Sequence, residues 1–201
     1  MKILGVIPTR YASTRFPGKP LTDIGGKSMI QRVYEQSIKA SVLSKIVIAT
    51  DDERIFRHAE NFSDVIMTRP DHPSGTDRCL EALEQQQDAF DYVINIQGDE
   101  PFIDPIQIET LATELKKSAS IATLAKPIET ETTLNNPNIV KVISQQPIGQ
   151  TIKCNTAHVY QIATYTKVPG TLHNISYKIF CCCLSRRCNI FKFNAGHEAR
   201  I

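Results

Sequence analysis

Three short runs of aliphatic residues, Lys2–Pro8 (KILGVIP), Lys45–Thr50 (KIVIAT) and Tyr92–Ile96 (YVINI), each end abruptly in polar sequence. Such runs, rich in β-branched residues and bounded by turn formers, are the pattern of buried strands. Between them the period changes. Met29, Ile30, Val33, Tyr34 and Ile38 recur near every 3.6 residues over Ser28–Ala40, and Glu53–Asn61 reads as a second helix. Val65–Met67 is a short strand, and Asp77–Gln87 is a helix with Cys79, Leu80 and Leu83 on one side. Asp104 and Pro105 supply an N-cap and a first-turn proline for a helix reaching Lys117. Ser120–Ala125 and Val140–Ile143 are further strand candidates, with Asn135, Asn136, Pro137 and Asn138 as the turn between them. Strands alternating with helices predict an α/β layer fold. In open sheets of this kind ligands lie beyond the carboxyl ends of the strands, where the polar loops after Pro8, Thr50 and Ile96 fall.

With 41% hydrophobic and 22% charged residues, the 201-residue chain has enough apolar sequence for one compact domain, which excludes a disordered or collagen-like chain. No apolar run approaches the ~18 residues that span a bilayer, and the N-terminal run lacks the basic start of a secretory signal. A cytoplasmic protein is expected. The net charge of +2 hides a break after Lys153. Residues 1–153 hold 17 basic and 20 acidic residues and one cysteine, giving −3; residues 154–201 hold six basic residues, one acid and five cysteines, giving +5. The tail cysteines, three of them consecutive at Cys181, Cys182 and Cys183, give no regular disulfide framework. Cys183 with Cys188 only loosely approaches the spacing of a structural zinc pair.

Three loops carry residues suited to chemistry. The first, Thr9–Leu21 (TRYASTRFPGKPL), lacks the glycine spacings of a dinucleotide fold or a P-loop. It offers Arg10, Arg15 and Lys19, the hydroxyls of Ser13 and Thr14, and a Pro17–Gly18 turn that brings Lys19 back towards its start. Cations and backbone donors after a buried strand suit a polyphosphate, and a plain solvated basic loop is the alternative. The second, Ile96-Gln97-Gly98-Asp99-Glu100-Pro101-Phe102, closes the clearest strand. A carboxylate there is a natural Mg²⁺ ligand beside phosphates, or else part of an ordinary exposed turn. The third, His72-Pro73-Ser74-Gly75-Thr76-Asp77-Arg78, presents backbone amides at a helix start, although any helix-initiating loop uses such residues. His72 reads as a surface residue rather than a catalytic base.

Taken in order, IPTRYASTRFPGKPL, IATDDERI, HPSGTDR and YVINIQGDEPFIDP resemble the successive motifs of the 3-deoxy-manno-octulosonate cytidylyltransferases, or CMP-KDO synthetases. The resemblance covers about Met1–Ile143; the CMP-sialic acid synthetases are a neighbouring family whose first loop differs. It implies a nucleotide-diphospho-sugar transferase type of α/β fold, a Rossmann-like mixed sheet flanked by helices, incomplete at the C-terminus. It implies CTP and KDO as substrates, CMP-KDO and pyrophosphate as products, and activation of KDO for lipopolysaccharide synthesis. Arg10, Lys19 and Asp99 match the family's catalytic residues. Arg10, Ser13, Thr14, Lys19, Ser74, Gly75, Arg78 and Gln97 match its nucleotide-binding positions, and Asp99 its magnesium ligand. No nucleic-acid or membrane partner is implied. Asn138, Val140, Lys141 and Val142 match the strand before the family's sugar-facing half.

Thr9 stands where the family usually has alanine, a change expected to be tolerated. After Ile143 the departure is large. The family's Phe-Ser-Arg-Ser-Pro-Ile-Pro-like segment, its Tyr-Lys-His-Ile-Gly-like strand and a second magnesium-binding aspartate are missing, and no aspartate follows Asn155. The division expected is therefore a nucleotide-binding part, 1–153, and an unrelated tail, 154–201, as a change of reading frame near Gln145–Asn155 would produce. Family members resemble homodimers, but the joining segment is among those replaced. Alternatives to an active transferase are an inactive remnant that at most binds nucleotide and, more broadly, a non-enzymatic binding module.

Overall fold

The computed structural model describes residues 1–12, 16–116, 121–124, 126–127, 130–136, 141–143, 159–160, 175–177 and 181–185. In chain order the elements are β1 (Ile3–Thr9), α1 (Met29–Ser37), β2 (Lys45–Thr50), α2 (Glu53–Ala59), β3 (Asp64–Met67), α3 (Gly75–Glu84), β4 (Tyr92–Ile96), α4 (Pro105–Lys116), β5 (Ile121–Thr123), β6 (Lys126–Pro127), α5 (Glu131–Asn135), β7 (Lys141–Ile143), β8 (Val159–Tyr160), β9 (Ile175–Tyr177) and β10 (Cys181–Ser185). The chain forms two compact units, Met1–Ala122 with Cys181–Ile201, and Thr123–Phe180.

The first unit is built on a six-stranded sheet in the order β3-β2-β1-β4-β10-β5. Strands β1 to β4 are parallel, with Val6 opposite Val47 on one side and Asn95 on the other. Strand β10 runs antiparallel to β4, placing Cys182 opposite Asn95, so the sheet is mixed. Alternation along each strand divides the core. Leu4, Val6, Val47, Ala49 and Val93 pack with Cys79, Ala82 and Leu83 of α3. Ile3, Ile7, Ile48, Ile94 and Ile96 fall on the opposite face and are fully buried, as are Ile30 of α1, Ile55 of α2 and Ile108 of α4. Each such side chain contributes about 1.5–3 kcal/mol of burial free energy.

The helices start where the sequence provides oxygen acceptors. Ser28, Asp52 and Ser74 cap α1, α2 and α3 by accepting backbone N–H bonds from Gln31, Arg54 and Asp77. The Asp104 carboxylate accepts from Ile106 N–H at 2.9 Å at the start of α4. These groups satisfy donors that the helix itself leaves open. The α3 stripe differs from the expected one: Arg78, Cys79, Ala82 and Leu83 are buried, whereas Leu80 is half-buried.

The second unit carries an antiparallel sheet in the order β6-β9-β7-β8, with Lys141 of β7 opposite both Tyr160 and Tyr177. Asn135, expected in a turn, ends α5 instead, and Pro137 and Asn138 lie outside the described residues.

Candidate functional site

Chain order and strand order disagree at one point in the first sheet. From β1 the chain moves outward through β2 and β3, then returns to the other side of β1 as β4. The carboxyl ends of β1 and β4, where the strand order reverses, are the position at which open sheets of this kind form a ligand crevice. The crevice floor is the end of β1. A Cβ on Gly98 would lie 3.0 Å from the Pro8 carbonyl oxygen and 3.6 Å from Ile7 and Ile30 side-chain carbons, so the loop after β4 sits on β1 only because residue 98 has no side chain. A Cβ on Gly75 would lie 3.3 Å from Pro8 Cγ and 3.9 Å from Asn95 Nδ2, which sets the start of α3 against the same proline.

Across this crevice Lys19 Nζ donates to Asp99 Oδ2 at 2.8 Å, joining the first loop to the loop after β4 over 80 residues of sequence. Lys19 opens a short 3₁₀ turn, Lys19–Leu21, preceded by Gly18 in the left-handed region at φ 72°. The pair is substantially exposed, and such pairs contribute only about 0–1 kcal/mol. Each partner is therefore available to a better counter-charge: an anion for Lys19, a cation for Asp99.

Of the other residues read from sequence, Arg10 is exposed at the end of β1, and Gln97 is half-buried just beyond β4. Ser74 caps α3 and Gly75 is its first residue, both at the crevice. Ser13 and Thr14 lie outside the described residues. Arg78 is buried: its guanidinium donates to Asp51 Oδ2 at 2.8 Å and to Thr68 Oγ1, which ties the loops after β2 and β3 to α3. The ends of β2, β3 and α3 are thus braced by one planar cation whose fork suits several acceptors at once.

His72 is not the surface residue expected. Its side chain is 5% exposed and its Nε2 meets the Glu81 carboxylate of α3. Burial pushes the Glu81 carboxyl upward, but the His72 contact, the Arg69 N–H and the electrostatic influence of these two side chains outweigh it and hold it below the ordinary range. This contact anchors the segment leading into Ser74.

Two groups at the crevice were not read from sequence. Among the described residues the Thr9 hydroxyl and Asn95 Oδ1 are buried without a hydrogen-bond partner. They occupy the carboxyl ends of β1 and β4, and alternation aims Asn95, like Val93, at the α3 side. A polar residue inside an otherwise apolar strand run was the available signal, because burying one without a partner is costly.

Among the described residues no group of three or more His, Cys, Asp or Glu side chains converges to hold a metal. Asp99 alone nevertheless fits a magnesium ion, which takes one or two protein carboxylates and fills its shell with phosphate oxygens and water. No helix among the described residues is long and apolar enough to cross a membrane. An open groove of about 540 Å³ lined by Tyr34, Lys45, Glu60, Asn61 and Asp64 lies at the amino ends of β2 and β3, away from these groups.

The family described as cytidylyltransferase matches residues 4–178, past the break in composition at Lys153. A 3-deoxy-manno-octulosonate cytidylyltransferase of Cytophaga hutchinsonii is 53% identical over 144 residues, covering 71% of this chain and 58% of that protein. One from Parabacteroides distasonis is 52% identical over 149 residues, covering 71% and 59%. The chain therefore spans under two thirds of these relatives' length. The solved structure of a CMP:2-keto-3-deoxy-manno-octonic acid synthetase complexed with CTP superimposes with a TM-score of 0.77 at 32% identity, over 96% of this chain and 76% of that one.

Proposed function

Because the chain belongs to the cytidylyltransferase family, we propose that it transfers CMP from CTP to 3-deoxy-D-manno-octulosonate, giving CMP-KDO and pyrophosphate for lipopolysaccharide synthesis. The observation that carries the reading is the Lys19–Asp99 contact of 2.8 Å across the β1/β4 crevice, which brings a phosphate-binding cation and a metal-binding carboxylate to one point. Arg10 and Lys19 hold the triphosphate, with Ser13 and Thr14 as further donors. Ser74, Gly75 and Gln97 face the cytidine, with Arg78 bracing that wall from behind.

In the reaction the anomeric hydroxyl of the sugar attacks the α-phosphorus of CTP. The new P–O bond forms as the bond to the bridging oxygen of the β-phosphate breaks, the hydroxyl proton passes to solvent water, and pyrophosphate leaves. Negative charge grows on the leaving group, so fixed cations at Arg10 and Lys19 and orientation of the reactants supply most of the acceleration. Asp99 would hold a magnesium ion, whose chemistry is to offset phosphate charge. The setting is the cytoplasm, where CTP is available.

The test is magnesium-dependent pyrophosphate release from CTP and KDO by the purified chain. Turnover that Asp99→Ala and Lys19→Ala abolish is the expected result; CTP binding that survives both substitutions would refute the site. A second reading, nucleotide binding without turnover, is favoured by one observation: no aspartate follows Asn155, so the second magnesium-binding aspartate expected from the resemblance has no match in this sequence. CTP binding with no pyrophosphate release at any KDO concentration would select it.

A further inference from the structure

Lys19 meets a phosphate only if the loop carrying it keeps its shape, and the two ends of that loop are clamped by a side chain with no part in the reaction above. The Gly18 N–H donates to the Tyr11 carbonyl at 3.0 Å, closing the loop at its neck. The same glycine lies against the Tyr11 ring: a Cβ there would fall 3.1 Å from three ring-end atoms of the tyrosine, and its φ of 72° disfavours any side chain. The Arg54 guanidinium carbon stands 3.3 Å from the centre of the ring, close enough for a strong cation–π contact.

Arg54 is itself oriented from α2. Its Nε and Nη2 donate to the two oxygens of Asp52 at 2.9 and 2.6 Å, and Asp52 also caps α2 by accepting the Arg54 N–H at 2.9 Å. A planar fork held at both nitrogens presents one face in one direction. Asp52 is mostly buried and fixed to the helix, so the guanidinium that covers Tyr11 is held in place by the start of α2. Hydrogen bonding from Arg54 also holds the Asp52 carboxyl below its ordinary range, which keeps the carboxylate that orients the fork ionised.

We propose that Tyr11 is a positioning residue of the nucleotide site: pressed between Gly18 and the Arg54 guanidinium that Asp52 orients, its ring fixes the neck of the first loop and so the placement of Arg10 and Lys19 for the triphosphate. The proposal rests on the reading that this crevice binds CTP. It accounts for the separation of duties in the loop after β2, where Asp51 braces Arg78 and Asp52 braces Arg54.

The test uses the full chain with Tyr11→Phe, Tyr11→Ala and Arg54→Leu. Amide exchange reads the clamp without any ligand. In Tyr11→Ala and Arg54→Leu the Gly18 amide is expected to exchange about fivefold faster, the loss of one cation–π contact, while β1 amides keep wild-type rates. Titration with magnesium and CTP or CMP then reads the site. Tyr11→Ala is expected to weaken CTP about fivefold more than CMP, because the clamp orders the loop facing the outer phosphates, and Tyr11→Phe to match wild type because the ring is kept. Unchanged Gly18 exchange in both truncations, an equal loss for CTP and CMP, or Tyr11→Phe behaving as Tyr11→Ala would each overturn the proposal. Failure of wild-type protein to bind CTP while Gly18 exchange still responds would instead sink the functional reading and leave the clamp a device of the loop alone.

Discussion

Thr9→Val is expected to make the protein more stable. Thr9 is the last residue of β1, 6% exposed, and its hydroxyl has no partner among the described residues. Its neighbour in register, Thr50, uses its own hydroxyl oxygen to accept the Asp52 N–H at 3.2 Å. A buried donor and acceptor left unpaired costs about 1–3 kcal/mol, and replacing the hydroxyl by a methyl of similar shape removes that cost while adding a little apolar burial. The net expectation is about 1–2 kcal/mol, roughly 2–8 °C in Tm for a chain of this size. Thr9→Ala removes a methyl as well, which costs about 1 kcal/mol, so alanine is expected to be near neutral. That is the physical content of the expectation that threonine in place of the family's alanine is tolerated. The assay is urea unfolding by circular dichroism, with a raised midpoint and an unchanged m-value for valine. A valine variant less stable than wild type would show that the hydroxyl is satisfied in solution, and the argument from its isolation would fall.

Three further outcomes follow from the geometry. Arg78→Met leaves Asp51, 15% exposed, without its cation and should cost about 3–5 kcal/mol in the same urea assay; a loss under 1 kcal/mol would show that the pair is not a brace. Gly98→Ala drives a methyl against the Pro8 carbonyl, so a loss of about 1–3 kcal/mol and weaker CTP binding are expected, and wild-type affinity would refute the close approach. Glu81, with its carboxyl held low in the folded state, contributes stability that is present above the unfolded pKa of roughly 4.3 and is lost as pH falls through the folded value. The stability gap between wild type and Glu81→Gln should thus be open at pH 7 and shrink below about pH 4; a constant gap would remove His72 and Arg69 as its cause.

The strands were legible because each is a local pattern. Lys45–Thr50 and Tyr92–Ile96 fall where the apolar runs place them, and β1 is displaced by one residue, to Ile3–Thr9. Strand β10, Cys181–Ser185, falls in a continuous apolar run, Ile179–Leu184, whose strand pattern is masked by three consecutive cysteines in a basic tail. Burial also misled in the third loop: His72 sits among small polar residues, and nothing local tells that Glu81, nine positions on and two turns into α3, turns back to meet it.

The site was half legible for a deeper reason. Lys19 and Asp99 could each be nominated from their own loops, since a cation after a strand and a carboxylate after a strand are local facts. Their meeting is not local. It depends on β4 returning to the far side of β1 instead of adding beyond β3, which no residue in either loop specifies. The residues that record the return are the small ones: Gly98, which lets the second loop rest on Pro8, and Gly75, which lets α3 approach from the opposite face. A side chain at either position would press on Pro8 and shift one of the two segments that meet there. The glycines therefore specify the site as firmly as the charges do, and a search of such sheets for chemistry should weigh the residues that permit two loops to touch alongside those that react.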